Sequence, residues 1–241
     1  MILGIETSGE TSSVALFRDG EVVQESFFPS RMTLNQRLAP ELCELVGDRA
    51  VAAGLQMVAA GIGPGSFTGV RMGVALAKAL AHALSLPLAG VSAPEAIVSG
   101  LRLQVGTPVL VLQKARGEEV YATAIFVSDA GHPEECGATE VLTLEQALPA
   151  SEELLGRPPA IIAGDGAALF AERITEAFSG AVLTGSDEAI PNAVEVARVA
   201  GQRPGVATGE NVFALTPRYV RLSQAEREFG VDLGLSGGGH A

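Results

Sequence analysis

The stretch that most restricts what this chain can fold into is an apolar run, Leu55 to Ile62, that breaks at Gly63-Pro64-Gly65-Ser66-Phe67-Thr68-Gly69 and resumes from Val70 to Ala93. A short apolar run bounded by glycines reads as a buried strand, and a long one behind such a turn reads as a helix. The chain must therefore build a layered α/β fold around them. The longer run could imitate a membrane span. Arg71, Lys78 and His82 interrupt it, however, and Pro87 ends the helix near Leu86, which leaves too little length to cross a bilayer. It is read as a helix buried by its own chain or covered by a partner. Pro87 to Val91 is then another strand, and Ser92 caps a further helix, with Pro94 in its first turn and Glu95 completing a capping box.

The flanking sequence supplies the rest of two such layers. Met1 to Glu6 is a short apolar strand, and the runs 11–17 and 21–28 flank Asp19-Gly20, a dipeptide that favours a tight hairpin. Leu34, Leu38, Leu42, Leu45 and Val46 follow at helical spacing behind Thr33, a candidate N-cap. The order then recurs. Strands are expected at 108–112, 119–127 and 137–141, a short helix at 143–148 and a strand at 160–163; after the turn Gly164-Asp165-Gly166 come a helix at 167–178, a strand at 181–183 and a helix at 192–200. The repeat of order without repeat of sequence predicts an α/β fold of two similar lobes, each a mixed sheet flanked by helices. They span residues 1–102 and 103–220, and a glycine-rich, mobile tail covers 221–241.

The first glycine turn has the strongest claim to chemistry. Gly63, Gly65 and Gly69 could let backbone N–H groups approach an anion at the start of the helix, with Ser66 or Thr68 as its cap. Pro64 offers no N–H, no Lys follows, and the glycine spacing is not that of a dinucleotide fingerprint, so a tight strand-to-helix turn is the competing reading. Glu6, Thr7 and Ser8 end the first strand on a turn where phosphate or metal could sit. The alternative is that the hydroxyls satisfy turn backbone and Glu6 is a solvated strand end. Along the helix, Gly69, Gly73, Ala77 and Ala81 recur every four residues and line one narrow face with almost no bulk. Gly73 costs roughly 0.5–1 kcal/mol against Ala inside a helix, so a close neighbour is expected there. The pattern does not say whether that neighbour is the chain's own sheet or another subunit.

Other chemistries lose ground. The histidines, His82, His132 and His240, are too far apart to form a helical metal-binding pair, so no metal site is expected. Gly65-Ser66-Phe67-Thr68-Gly69 lacks the spacing of a nucleophile elbow. Cys43 and Cys136 are too few for a disulfide framework, and no basic segment leads into an apolar run at the N-terminus, which makes the cytoplasm the expected compartment. The formal net charge is −12, and residues 103–241 hold nine Lys/Arg against nineteen Asp/Glu. Aromatic residues make up 5% of the chain, with no Trp, so stacking platforms for nucleic acid are scarce. A chain of that charge is not expected to grip a phosphate backbone by itself.

Two strings carry a resemblance. Met1-Ile2-Leu3-Gly4-Ile5-Glu6-Thr7-Ser8 with Ser13-Val14-Ala15-Leu16, and Gly63-Pro64-Gly65-Ser66-Phe67-Thr68-Gly69-Val70-Arg71-Met72-Gly73, closely resemble the TsaB (YeaZ) family. Weaker echoes lie at Arg116-Gly117-Glu118-Glu119-Val120-Tyr121, at Gly164-Asp165-Gly166 and at Pro217-Arg218-Tyr219-Val220-Arg221. The resemblance implies the actin-like ATPase fold shared with sugar kinases. It also implies a subunit of the bacterial machinery that makes threonylcarbamoyladenosine in tRNA, acting as a noncatalytic scaffold for TsaD. TsaD itself holds metal through a His-x-x-x-His motif that this sequence lacks.

In that family the TsaD contact runs through helices of the first lobe, so the implied interface here is Gly69, Val70, Gly73, Ala77 and Ala81 with Leu38 and Leu42 on the first helix. A bulky residue at Gly73 is then expected to abolish pairing while leaving the fold intact. Glu6, Thr7, Ser8, Gly63, Gly65 and Ser66 would be a vestigial nucleotide site. TsaE joins the heterodimer, tRNA is met through the complex, and a homodimer can form in isolation. The chain needs no cofactor of its own, with ATP or ADP and Mg²⁺ entering at the level of the complex, and it has no membrane role. Relatives commonly carry Asp where this chain has Glu6, a His in the first helix where Leu34 or Asn35 stands, and an Asp near Lys114. The competing readings are an actin-fold ATPase or phosphotransferase using Glu6, Thr7 and both glycine turns, a homodimeric regulator, and a peptidase.

Overall fold

The computed structural model describes residues 1–31, 33–47, 54–177, 180–184, 189–203 and 209–220. The tail at 221–241 lies outside the described residues. The chain divides into two compact units, the first formed by Met1–Ala96 with Pro191–Arg218 and the second built on Ile97–Ile190.

In the first unit, β1 (Ile2–Glu6), β2 (Thr11–Arg18) and β3 (Glu21–Pro29) form an antiparallel meander. Asp19 and Gly20 both take positive φ, 51° and 90°, the backbone that lets two residues turn a hairpin with the strands' own twist. The helix α1 (Leu34–Val46) follows, then β4 (Met57–Gly61), α2 (Phe67–Leu84) and β5 (Leu88–Val91). β4 pairs parallel to β1, and β5 parallel to β4, giving the order β3-β2-β1-β4-β5. The parallel half of the sheet is fully covered, so β4 reads as an unbroken apolar run rather than an alternating one. Leu3, Ile5, Val14 and Leu16 of the sheet pack with Leu38 and Leu42 of α1 and with Val70, Val74, Ala77 and Ala81 of α2. The last helix of this stretch, α3 (Ala93–Gly100), has the expected capping box: Ser92 N–H donates to Glu95 Oε2 at 2.8 Å, and Glu95 N–H to Ser92 Oγ at 3.3 Å.

The second unit contains β6 (Pro108–Lys114), β7 (Glu119–Val127), β8 (Pro133–Glu135) and β9 (Glu140–Thr143), then α4 (Leu144–Leu155), β10 (Ile161–Ala163), α5 (Asp165–Leu169), α6 (Ala171–Ala177) and β11 (Val182–Leu183). The sheet order is β11-β10-β6-β7-β8, with β9 also paired to β7. Three local expectations change. The strand expected at 137–141 is two short strands on β7, because the chain meets that edge twice. The helix α4 runs past Pro149, where Ser151 Oγ donates to Leu148 O at 2.7 Å. The helix expected over 167–178 breaks at Phe170, whose φ of −109° turns its ring into the core beside Leu112 and Ile174.

The helix α7 (Ala193–Gly201) departs most from the expected lobes. It was expected to complete the second lobe, but it packs on the first sheet, on the face opposite α1 and α2. Ala193 and Ala197 meet Ala15 and Phe17, while Val196, Val199 and Ala200 meet Ala59, Ala89 and Val91. The approach is close enough that a Cβ at Gly4 would lie 2.0 Å from the Ala193 carbonyl oxygen. Ser13 Oγ accepts the Ala193 N–H at 2.8 Å. The exposed face of one sheet and the apolar stripe of a distant helix match each other, and that complementarity outweighs sequence order. The chain thus returns at Pro191 to the unit it began in.

Candidate functional site at the first glycine turn

The first glycine turn and the end of β1 come together, as their chemistry suggested, but they are used on each other. Ser8 O accepts the Ser66 N–H at 2.7 Å, and Thr7 Oγ1 donates to Gly69 O at 2.8 Å. Ser66 Oγ in turn accepts the Gly69 N–H at 3.3 Å and caps α2. A Cβ at Gly65 would lie 2.4 Å from Ser8 O, one at Gly69 2.1 Å from Thr7 O, and one at Gly73 2.2 Å from Thr7 Oγ1. The glycines are there because β1 ends against them. Gly63, where the chain leaves β4, takes φ +86°, and its peptide bond to Pro64 is cis.

Glu6 is not a solvated strand end. It is fully buried, with Oε1 accepting the Ser8 N–H at 2.6 Å and Oε2 without a hydrogen-bond partner. The carboxyl rests on Gly61, where a Cβ would lie 1.8 Å from Oε2. Burial raises its pKa above the ordinary carboxylate value, against the opposing pull of hydrogen bonds from Ser8 and Thr7. The N–H groups that would cradle a phosphate at this helix start, those of Ser66 and Gly69, are already bonded within the chain. Those two N–H groups are thus not open to a phosphate.

The second glycine turn is also closed on itself. Asp165 Oδ1 accepts the Lys114 N–H at 2.8 Å, and a Cβ at Gly164 would lie 2.3 Å from Leu112 O. Among the described residues, no group of three His, Cys, Asp or Glu could hold a metal ion. His82 lies on the surface of α2 with its ring 5.1 Å from that of Phe213.

The small-residue face of α2 points inward. Gly69, Val70, Gly73, Ala77 and Ala81 are all buried by the chain itself, as are Leu38 and Leu42 of α1, so none of the side chains expected at a partner interface is exposed. The neighbour that Gly73 required is Thr7. Two residues along a helix turn it by about 200°, and that opposite face carries Phe67, Arg71, Ala75, Ala79 and Ala83, all exposed. The Arg71 guanidinium stacks over the Phe67 ring at 4.2 Å. This ladder repeats every four residues as the inner one does, which is the signal that could have found it. Small residues on both faces left the two sides indistinguishable in sequence.

A two-unit α/β chain with mixed sheets, whose strand-end turn meets a glycine turn at the head of a long helix, defines a protein of the actin-like class. A family model described as TsaD, tRNA N6-adenosine threonylcarbamoyltransferase, matches residues 33–226. The chain is 31% identical over 208 residues to the tRNA threonylcarbamoyladenosine biosynthesis protein TsaB of Haemophilus influenzae, covering 83% of this chain and 84% of that one. To the Bacillus subtilis protein of the same name it is 28% identical over 230 residues, 95% of this chain and 97% of that one. The solved structure of YeaZ from Pseudomonas aeruginosa matches 90% of this chain and 98% of its own, at 27% identity and a TM-score of 0.72. The chain belongs to the TsaB (YeaZ) family, within the wider group whose model carries the TsaD name.

Proposed function

We propose that this chain serves tRNA threonylcarbamoyladenosine biosynthesis as a noncatalytic scaffold that pairs with TsaD through the outer face of α2. The observation that carries this reading is the division of labour on that helix. Its inner face and N-terminal turn are spent on Thr7, Ser8 and the core, while Phe67, Arg71, Ala75, Ala79 and Ala83 are exposed on the other side. Alanines at four-residue spacing let a second helix approach closely, and an aromatic–arginine pair at one end supplies the anchor type that dominates many interfaces.

Glu6, Thr7, Ser8, Gly63, Gly65 and Ser66 are then structural. ATP and Mg²⁺ belong to the complex rather than to this chain, TsaE joins the heterodimer, and tRNA is held by the partners. The acidic surface supports that last point, because the chain's net charge of −12 opposes a phosphate backbone. In isolation the same ladder serves self-pairing. Among the described residues no helix is long and apolar enough to cross a membrane, which agrees with work in the cytoplasm, where tRNA is modified.

The test is co-expression with the cognate TsaD and TsaE, followed by a tRNA modification assay with and without this chain. Modification that depends on the chain, with no turnover of ATP by the chain alone, is the expected result. Modification that proceeds equally without it contradicts the proposal.

A further inference from the structure

We propose that Glu6 is a proton-operated latch on the N-terminal turn of α2, closed while its carboxyl is neutral and opened when it ionises. The geometry carries this. The carboxyl is sealed between its own turn and Gly61, accepts the Ser8 N–H on Oε1 at 2.6 Å, and leaves Oε2 with no partner. A neutral acid tolerates that environment. An ionised one has only the hydrogen bonds of its own turn, from Ser8 and Thr7, to offset the loss of water, and burial outweighs them.

No neighbouring charge changes the balance. Ser13 faces Glu6 across the strand pair. The charged or titratable groups on the surrounding elements are Arg18 on β2, Arg71, Lys78 and His82 on α2, Glu95 on α3, and Glu195 and Arg198 on α7. Glu195 is paired to Arg198 at 3.2 Å and Glu95 to Arg203, and β4 carries no such group. Only burial and the hydrogen bonds of Ser8 and Thr7 act on Glu6. Ionisation therefore drives the side chain off Gly61. The two residues that follow it are those that hold α2: Thr7 against Gly69 and Gly73, and Ser8 O on the Ser66 N–H.

The sign follows from linkage. A carboxyl whose folded pKa is raised contributes stability that is complete below the unfolded value, about 4.3 for an unperturbed Glu. That stability is lost as the pH rises through the folded value. The latch is thus closed in acid and opens toward alkaline pH. Its consequence for partner binding rests on the proposed docking face, whereas the latch itself does not.

The experiment is an NMR titration of the full chain, following the Glu6 side-chain carboxyl carbon together with hydrogen exchange of the Ser66 amide. Glu6 should titrate well above the ordinary carboxylate range. Between the ordinary carboxylate value and that midpoint the protection of Ser66 should fall by up to about tenfold per pH unit, after correction for intrinsic exchange, and level off above it, and Glu6→Gln should abolish the pH dependence. An ordinary Glu6 titration, or Ser66 protection unchanged through it, overturns the latch, and the wild-type data decide this even if the variant does not fold. Cognate TsaD affinity is measured over the same pH range. A working latch with pH-independent affinity supports the latch and counts against the docking face.

Discussion

On its inner face α2 carries Gly69, Gly73, Ala77 and Ala81, all buried; on its outer face Ala75, Ala79 and Ala83 continue a line from Phe67 and Arg71, all exposed. The spacing is the same, and both lines run on in alanine toward the helix C-terminus. What separates the two faces is the end of β1, a segment some sixty residues earlier in the chain that places Thr7 within 2.2 Å of where a Gly73 Cβ would sit. A ladder of small residues records that something approaches the helix closely, and it does not record from which side. The inner ladder answers to the fold, and the outer one is exposed.

Substitutions on the two faces should therefore separate stability from pairing. Gly73→Leu is expected to have the largest effect. Its side chain has no space against Thr7, so the cost is ~3 kcal/mol, at the top of the overpacking range, and a thermal melt should show the transition lowered by roughly 6–12 °C, or lost. This reverses the expectation that the variant stays folded while failing to pair. Ala77→Leu, overpacking a fully buried site in the same core, should cost ~1–3 kcal/mol in denaturant titration. Thr7→Val keeps the shape and loses the Oγ1 bond to Gly69 O, for a loss of about 0.5–1.5 kcal/mol by the same measurement. A large stability loss from an outer-face substitution, or none from Gly73→Leu, would break the comparison.

Much of this was legible locally. The strand–turn–helix at Gly63, the Asp19-Gly20 hairpin and the Ser92–Glu95 capping box are short-range devices, and each appears where its residues stand. What the sequence concealed was long-range. The return of α7 to the first sheet depends on Gly4 and Ser13 meeting Ala193, which no local pattern signals. Phe170 ends a helical run because its ring has a core to enter, and α4 continues through Pro149 although proline disfavours a helix interior. At the candidate site the sequence marks the residues but not their use. Glu6 stands at a strand end, where an acid is ordinarily solvated, and only the packing of Gly61 over it shows a buried carboxyl. Resemblance alone set the inner ladder at the partner contact, because both faces of α2 satisfied the same spacing.

The most direct test of the outer face is Ala79→Arg. The site is exposed, so stability should stay within about 0.5 kcal/mol of wild type. Binding of the purified variant to the cognate TsaD is then measured by calorimetry beside the wild-type chain. Two separate faces predict an unchanged melt and an affinity lowered by roughly a hundredfold or more. An unchanged melt with wild-type affinity would contradict the assignment of α2's outer face to TsaD.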